Sequence, residues 1–449
     1  MRIFLACSNS CKFLGHILKC ERNLMFPCAT SPPLRQQVRY LNRTETWFSF
    51  TENDFVVCGK PYKKDEWTNV TPYLVPRIKQ NLLIKKNHPL ALLSEATKRF
   101  FDDYKFFEFN DPVVSPHDNF DSLLIPKNHV SRGTSDTYYL DKNHILRTHT
   151  SVHQTHCLSA GHDKFLCIAD VYRRDAIDKT HYPCFHQCEA FDSFTADQLS
   201  LSNIYKNKDQ EKIRTPKSQE NYSDEATAKV EQHLKKTIEN YVRFLLGKDF
   251  EFKWVDAYFP FTHPSWELEI FFNGNWLEVV GCGIVEEKIL LDHNVSNKIS
   301  WALGFGLERI AMVRYAIPDV RLFWTDDTNF FHQFTGIGPM DQYTFKEIPP
   351  FNPCINDMSF WLPQNSENWS PNDFYDLCRS EAGDLCEYVE LIDDYVHPKT
   401  NRRSQCYRIF YRSCQSPLTK AFVNTIHDKI AQQVEKQYNV EVRNKLPLK

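Results

Sequence analysis

The chain has 449 residues, 42% hydrophobic and 14% aromatic, enough for two or three domains with sizeable cores. A formal net charge of −3 excludes a uniformly basic nucleic-acid coat, though a local basic patch would still suffice for RNA binding. No apolar run approaches the roughly 18 residues a membrane helix needs, so no membrane association is expected. The 15 cysteines are scattered, several of them inside apolar runs (Cys167, Cys282, Cys386, Cys406). That is the pattern of reduced, buried thiols in a non-secretory protein.

The first segment, 1–44, carries Arg2, Lys12, Lys19, Arg22, Arg35, Arg39 and Arg43 against one acid, Glu21. Basic and apolar residues interleave with serines, the profile of a mitochondrial transit peptide and hence of import into the matrix. Residues 45–86 are loop-rich and read as an extension packed on the body. A helix is predicted over 90–101, with strands around 106–109 and 123–125 and short extended pieces at 138–140 and 145–147. Residues 150–161 read as a helix opened by a Ser/Thr cap. The runs 165–172 and 185–194 read as two strands of a hairpin. Residues 203–225 are polar and predicted to be an exposed, mobile loop. A helix over 226–246 follows, with Val230, Leu234, Ile238 and Val242 on one face. Strands resume at 250–254, 266–272 and 276–280, the last two joined by Asn273-Gly274-Asn275, a hairpin signal.

Pro349-Pro350-Phe351-Asn352-Pro353 marks a boundary, so 341–354 is read as a linker between a body at 87–340 and a module at 355–449. The module's predicted order is β-α-β-β-α-β, the ferredoxin-like arrangement. Its charge is lopsided: ten acids and one base in 357–395, eleven bases and three acids in 396–449. Lys399, Arg402 and Arg403 lie in the basic half and could meet phosphates.

Two distant segments carry the chemistry. Arg173 and Asp175 follow an apolar strand, with His181, Phe185, Gln187 and Glu189 on the return. Arg309 follows the glycine-rich run Gly304-Phe305-Gly306, on the first turn of a predicted helix. Taken alone, either arginine is most often a surface ion pair. Brought together, the two can clamp a polyphosphate, because a guanidinium binds phosphate oxygens bidentately and stays charged. His181, Cys184, His186 and Cys188 superficially suggest zinc, but alternation along a strand puts three of them on one face without the turn that lets paired ligands wrap one ion.

These segments resemble motifs 2 and 3 of class II aminoacyl-tRNA synthetases. His181, the run Phe185-His186-Gln187 and Glu189 narrow the resemblance to the single-chain, mitochondrial phenylalanyl-tRNA synthetases, over 87 to the C-terminus. It implies an α+β fold: an antiparallel sheet of six or seven strands flanked by helices, then a ferredoxin-like anticodon-binding domain. It implies that Arg173 grips the α-phosphate of ATP, Arg309 holds the γ-phosphate end, Phe185 stacks on adenine, and Glu278 serves the ATP–Mg²⁺ site. Asp175 stands where the family commonly has a glutamate. Ser151, Val152, His153 and Gln154 lie where the family orients its amino acid, with His149 a further candidate in the same run. Thr180, His181, Tyr182, Gln187, Cys188 and Glu189 complete a polar rim. Phe259 and Phe261, around Pro260, resemble the aromatic pair that receives the substrate ring, with Ala302 setting pocket depth. Leu303 replaces a phenylalanine common in the family. The expected activity is ATP-dependent attachment of L-phenylalanine to tRNA(Phe), by a monomer and without an editing domain. The alternative is a relative with the same fold that binds tRNA without catalysis, and retention of Arg173, Arg309 and Glu278 argues against it. A metal-dependent hydrolase using the histidines is more distant.

Overall fold

The computed structural model describes residues 48–50, 54–78, 80–247, 250–346, 351–363, 369–413 and 416–443. The basic leader at 1–44 lies outside them. Strands β1 (Phe48–Phe50), β2 (Asp54–Val57) and β3 (Lys60–Lys63) form a small antiparallel sheet. Helix α1 (Pro89–Phe100) opens with Pro89 in its first turn and the His88 ring accepting from Leu90 N, and buries Leu90, Leu93 and Ala96. Next come β4 (Lys105–Glu108), β5 (Val113–Val114), α2 (Pro116–Asn119), β6 (Tyr139–Asp141), β7 (His144–Leu146) and α3 (Gln154–Ser159).

The central sheet uses β4, β8 (Lys164–Tyr172), β9 (Cys184–Phe194), β10 (Phe252–Phe259), β11 (Thr262–Phe272), β12 (Asn275–Val285) and β13 (Ile299–Gly306). Its order is β10-β11-β12-β13-β9-β8-β4. Six strands are antiparallel, and edge strand β4 runs parallel to β8. That parallel edge departs from the fully antiparallel sheet expected. It arises because 109–163 form a long crossover between β4 and β8, which a hairpin turn cannot supply. Asn273 (φ 49°) and Gly274 (φ 84°) make the two-residue turn between β11 and β12 that the sequence signalled.

One face of the sheet is buried under α1, α4 (Asp224–Leu246) and α6 (Leu307–Tyr315). Helix α4 is capped by Ser223 and buries Val230, Leu234, Ile238 and Val242, the stripe expected from helical spacing. Along β13, Trp301, Leu303 and Phe305 belong to this helix-side core, while Ala302 belongs to a smaller core on the opposite face. Helices α5 (Glu287–Asp292) and α7 (Thr328–His332) are short connections.

The ferredoxin-like module comprises β14 (Cys354–Trp361), α8 (Pro371–Ala382), β15 (Cys386–Val396), β16 (Arg403–Tyr411), α9 (Lys420–Tyr438) and β17 (Glu441–Val442), with sheet order β15-β16-β14-β17. Ile177, from the loop between β8 and β9, is buried in this module's own core. Around it Arg174 pairs with Asp373 (2.9 Å) and Asp376 (3.4 Å), and Tyr138 donates to Asp376 (2.8 Å). The β8–β9 loop is thus clasped between body and module.

Four local expectations are corrected. Residues 123–125 are the end of a 3-10 turn (Asp121–Leu123) and its exit rather than a strand, with Ile125 N bonded to Phe120 O and Leu124 at φ 59°. Leu123 and Ile125 are buried there by packing, not by strand pairing. Residues 150–161 begin as a 3-10 turn with no side-chain cap. The Thr150 and Ser151 hydroxyls that would have capped it turn to Glu189 instead. The polar stretch 203–225 is exposed over 207–214, but Ser218, Gln219 and Tyr222 are buried. There Gln219 Nε2 donates to the His263 and Val285 carbonyls (both 2.9 Å), and its Oε1 accepts from Glu287 N. Polar composition was misread as exposure, because these polar atoms satisfy the backbone at strand ends. Among the four cysteines read as buried, Cys406 is only partly so.

Candidate active site

Strand β8 ends at Tyr172, so Arg173 is the first residue free of the sheet ladder. Its backbone N–H bonds to Pro183 O (3.1 Å), and its side-chain Nε donates to Thr148 O (2.8 Å). This tether leaves the two η nitrogens of Arg173 for the cleft. Phe185, on the returning strand β9, has its ring 5.4 Å from the Arg173 guanidinium carbon.

Arg309 reaches the same cleft from the first turn of α6. Its Nη1 donates to the carbonyl of Glu278 (3.0 Å) and to Glu278 Oε2 (3.2 Å), while Nη2 lies 3.1 Å from His181 Nε2. Its neighbour Glu308 points the other way, buried, and accepts from His186 N (2.8 Å) with His186 Nδ1 at 2.8 Å. That buried pair fixes the start of α6 to β9, and so fixes where Arg309 emerges.

The cleft has two lobes. A polar lobe of about 270 Å³ is lined by Thr180, His181, Tyr182, Phe185, Val279, Gly306 and Arg309 among others. A lobe of about 400 Å³ is lined by Ile125, His149, Ser151, Glu189, Phe259, Phe261, Gly281 and Ala302 among others. Arg173, Asp175, Gln187, Glu278 and Gly304 border both, so the lobes are continuous. A polyanion suits the first lobe and a small amphipathic molecule the second.

The second lobe has one apolar and one polar end. At the apolar end the Phe259 and Phe261 rings lie 5.9 Å apart, nearly parallel, at the β10–β11 turn. Gly281 on β12 makes room for them: a Cβ there would sit 3.0 Å from Phe259 Cζ. Ala302 places its methyl on this side of β13, opposite Gly283 and Phe191. At the polar end Glu189 is buried and accepts from Ser151 Oγ (2.6 Å). Its Oε1 has no hydrogen-bond partner among the described residues. Burial raises the Glu189 carboxyl to about 7, against the side chains of Ser151, Gln154 and Thr150 that pull it down. A buried carboxylate with an open oxygen calls for a cationic ligand group. His149 is held neutral, its ring pushed down to about 3 by burial and by Arg173.

Not every residue named from sequence lines the cleft. Val152 and Cys188 are buried, and Cys188 belongs to the helix-side core. His153 stacks on Phe109 (3.7 Å between ring centres) with Nε2 3.1 Å from Arg147, and burial and that arginine push its ring down to about 2. Gln154 is buried, and its side chain faces the Glu189 carboxyl from behind the cleft lining. Thr180, His181 and Tyr182 line the polar lobe rather than the Glu189 end, with His181 beside Arg309 and the Tyr182 hydroxyl turned to Asp384 (2.8 Å). Leu303 borders the cleft while its side chain packs in the helix-side core. Sequence reasoning missed Gly281, signalled by a glycine within a strand. It also missed Asp178, signalled by an acid three residues before His181 in a loop.

A seven-stranded sheet with an arginine from each of two distant elements at one cleft, joined to a ferredoxin-like module, defines a class of protein. Residues 75–216 and 220–334 match the tRNA synthetases class II core domain (F), and residues 349–443 match the ferredoxin-fold anticodon binding domain. The chain is 41% identical over 416 residues to a probable mitochondrial phenylalanine--tRNA ligase of Drosophila melanogaster, covering 86% of this chain and 92% of that protein. It is 43% identical over 404 residues to the mitochondrial phenylalanine--tRNA ligase of Mus musculus (86% and 88%). It is 37% identical over 446 residues to that of Saccharomyces cerevisiae (86% and 94%). The chain belongs to the phenylalanine--tRNA ligase family of class II aminoacyl-tRNA synthetases.

Proposed function

We propose that this chain activates L-phenylalanine with ATP and transfers it, by way of phenylalanyl-adenylate, to the terminal adenosine of tRNA(Phe). The observation that carries the reading is the single cleft in which Arg173 separates the Arg309 lobe from the Glu189–Phe259–Phe261 lobe. The amino acid's ammonium would meet Glu189, its ring would enter between Phe259, Phe261 and Ala302, and its carboxylate would face Arg173. Attack of that carboxylate on the α-phosphorus expels pyrophosphate, and Arg173 stabilises the charge that builds on the equatorial oxygens. Phe185 offers its ring to adenine, and Arg309 holds the far phosphates. Gln187 and Asp175, on the border of the two lobes, complete the polar wall.

Glu278 presents a half-exposed carboxylate to the cleft, an oxygen donor that suits Mg²⁺ when substrate phosphates fill the other positions. Bound there, Mg²⁺ would neutralise phosphate charge. The enzyme is read as a monomer, as the resemblance to the single-chain synthetases implies. Within the same reading, 1–44 directs import into the mitochondrial matrix, 45–86 is an extension, 87–340 is catalytic, and 341–354 links it to the anticodon-binding module at 355–449. The relatives' names support the mitochondrial part.

Phenylalanine-dependent exchange of labelled pyrophosphate into ATP, without tRNA, tests the reading. Folded protein that binds tRNA but shows no exchange would favour the non-catalytic alternative. In the same assay Ala302→Gly is expected to raise use of para-chlorophenylalanine by at least about tenfold, the scale of one methyl-sized change in an apolar pocket. No gain would remove Ala302 from the pocket.

For tRNA, Arg403 is held by Asp394 (2.7 Å from its Nε) and Arg402 by Glu441 (2.8 Å). Arg402 and Arg443 also flank the Trp361 ring, at 5.1 and 4.7 Å, with Tyr395 and His397 beside it at 6.4 and 6.1 Å. Aromatic rings amid guanidinium groups suit unpaired bases. Lys399, in the turn before Arg402, adds positive charge at the same end of the sheet. Trp361→Ala is expected to lower kcat/KM for tRNA by about 10-fold or more, the scale of one lost base stack, with exchange unchanged. Equal loss in both assays would mean a folding defect rather than an RNA contact.

A further inference from the structure

We infer that Asp178 is a positioning residue for Arg309, acting through the imidazole of His181. The inference rests on the adenylation reading above and concerns a residue that reading leaves idle. Asp178 lies in the β8–β9 loop and touches neither arginine. Its Oδ2 is 2.7 Å from His181 Nδ1, and His181 Nε2 is 3.1 Å from Arg309 Nη2. A guanidinium can only donate, so Nε2 of His181 must accept. The ring proton is then on Nδ1 and points at Asp178. The carboxylate therefore selects the tautomer whose lone pair faces Arg309. With Glu278 taking Nη1, both ends of the Arg309 fork are held by fixed acceptors.

The other oxygen of Asp178 builds the platform for this relay. Oδ1 accepts from Thr180 N (2.7 Å), His181 N (2.9 Å) and Thr180 Oγ1 (2.9 Å). These donors lock the carboxylate in rotation, so Oδ2 has one direction to face. Burial tends to raise this carboxyl, but the hydrogen bonds from His181 and Thr180, together with the charge of a protonated His181, outweigh it and hold it below the ordinary carboxylate range. It is thus ionised throughout the working pH range.

The variant Asp178→Asn tests the idea sharply. The three donors on Oδ1 fix the amide oxygen in the same place, so the new NH₂ must face His181 Nδ1. That amide donates, the ring is forced into the other tautomer, and an N–H then points at an N–H of Arg309. The same logic underlies the loss of activity when the aspartate of a serine-protease triad becomes asparagine, although the loss here should be smaller because no proton is transferred. Expected is a fall of about 10-fold or more in kcat/KM for ATP in pyrophosphate exchange, with KM for phenylalanine unchanged. In a His181→Ala background the same substitution should cost nothing more. An Asp178→Asn variant as active as wild type would overturn the inference. So would a defect shared equally by ATP and phenylalanine, or one that persists undiminished without the His181 ring, since each assigns Asp178 to loop shape alone. Absence of exchange in the wild-type protein would instead overturn the adenylation reading.

Discussion

Arg173→Ala is expected to lower phenylalanine-dependent pyrophosphate exchange by about 10³-fold, the lower end of what a transition-state arginine contributes in phosphoryl transfer. That corresponds to about 4 kcal/mol of lost stabilisation. The geometry separates this loss from a folding defect. Among the described residues the guanidinium makes one hydrogen bond, to the Thr148 carbonyl, beside its approach to the Phe185 ring. Breaking one such bond costs about 1 kcal/mol, a shift of a few degrees in Tm. The Thr148 tether also accounts for the choice of arginine, since Nε is spent on positioning while two further nitrogens remain for phosphate oxygens. Lysine offers a single point charge and should restore only a small part of the rate. Activity within tenfold of wild type in Arg173→Ala would remove this residue from the reaction.

The second large effect belongs to Glu189. Glu189→Gln is expected to raise KM for phenylalanine by about 10²-fold, the scale of removing one partner from a buried charge pair. A pH signature accompanies it. The free carboxyl titrates at about 7, above its ordinary value of 4.5. Below about 7 the enzyme must release that proton before it can pair with an ammonium. Wild-type kcat/KM for phenylalanine should therefore rise about tenfold per pH unit up to about pH 7 and then level. Glu189→Gln should be flat across that window. The sign for stability is opposite. The folded pKa is the higher one, so this group's contribution to stability is complete below about 4.5 and is lost as pH rises through about 7. Bound phenylalanine should thus raise Tm more at pH 8 than at pH 6. A wild-type profile with no break near 7 would separate Glu189 from the ammonium.

Much of the site could be read from the chain because it is built on two regular devices. Alternation along β9 predicts Cys184, His186 and Cys188 on one face, and the structure puts Gln187 and Glu189 on the other, which removes Cys188 from the polar rim. The glycine run ahead of Arg309 announced the helix, and α6 begins there, whereas strand β13 leading into it carried no signal that was read. What failed were segments lacking a period. Its neighbours in sequence place His153 in the pocket, yet the 3-10 turn rotates it onto Phe109. Thr180, His181 and Tyr182 were grouped with Glu189, but a loop between strands has no face, and its direction is set by the module that clasps it.

The amino-acid sequence by itself determined the strands and helices with strong periodicity, the ferredoxin-like order of the C-terminal module, and the identity of the two arginines. Those depend on local spacing, which every copy of the chain carries whether folded or not. Only the tertiary structure decided that Glu189 keeps an open oxygen, that Gly281 makes room for Phe259, and that Asp178 reaches Arg309 through His181. Each of these depends on the distance between groups remote in sequence or on water excluded by packing, and neither quantity exists until the chain has closed on itself.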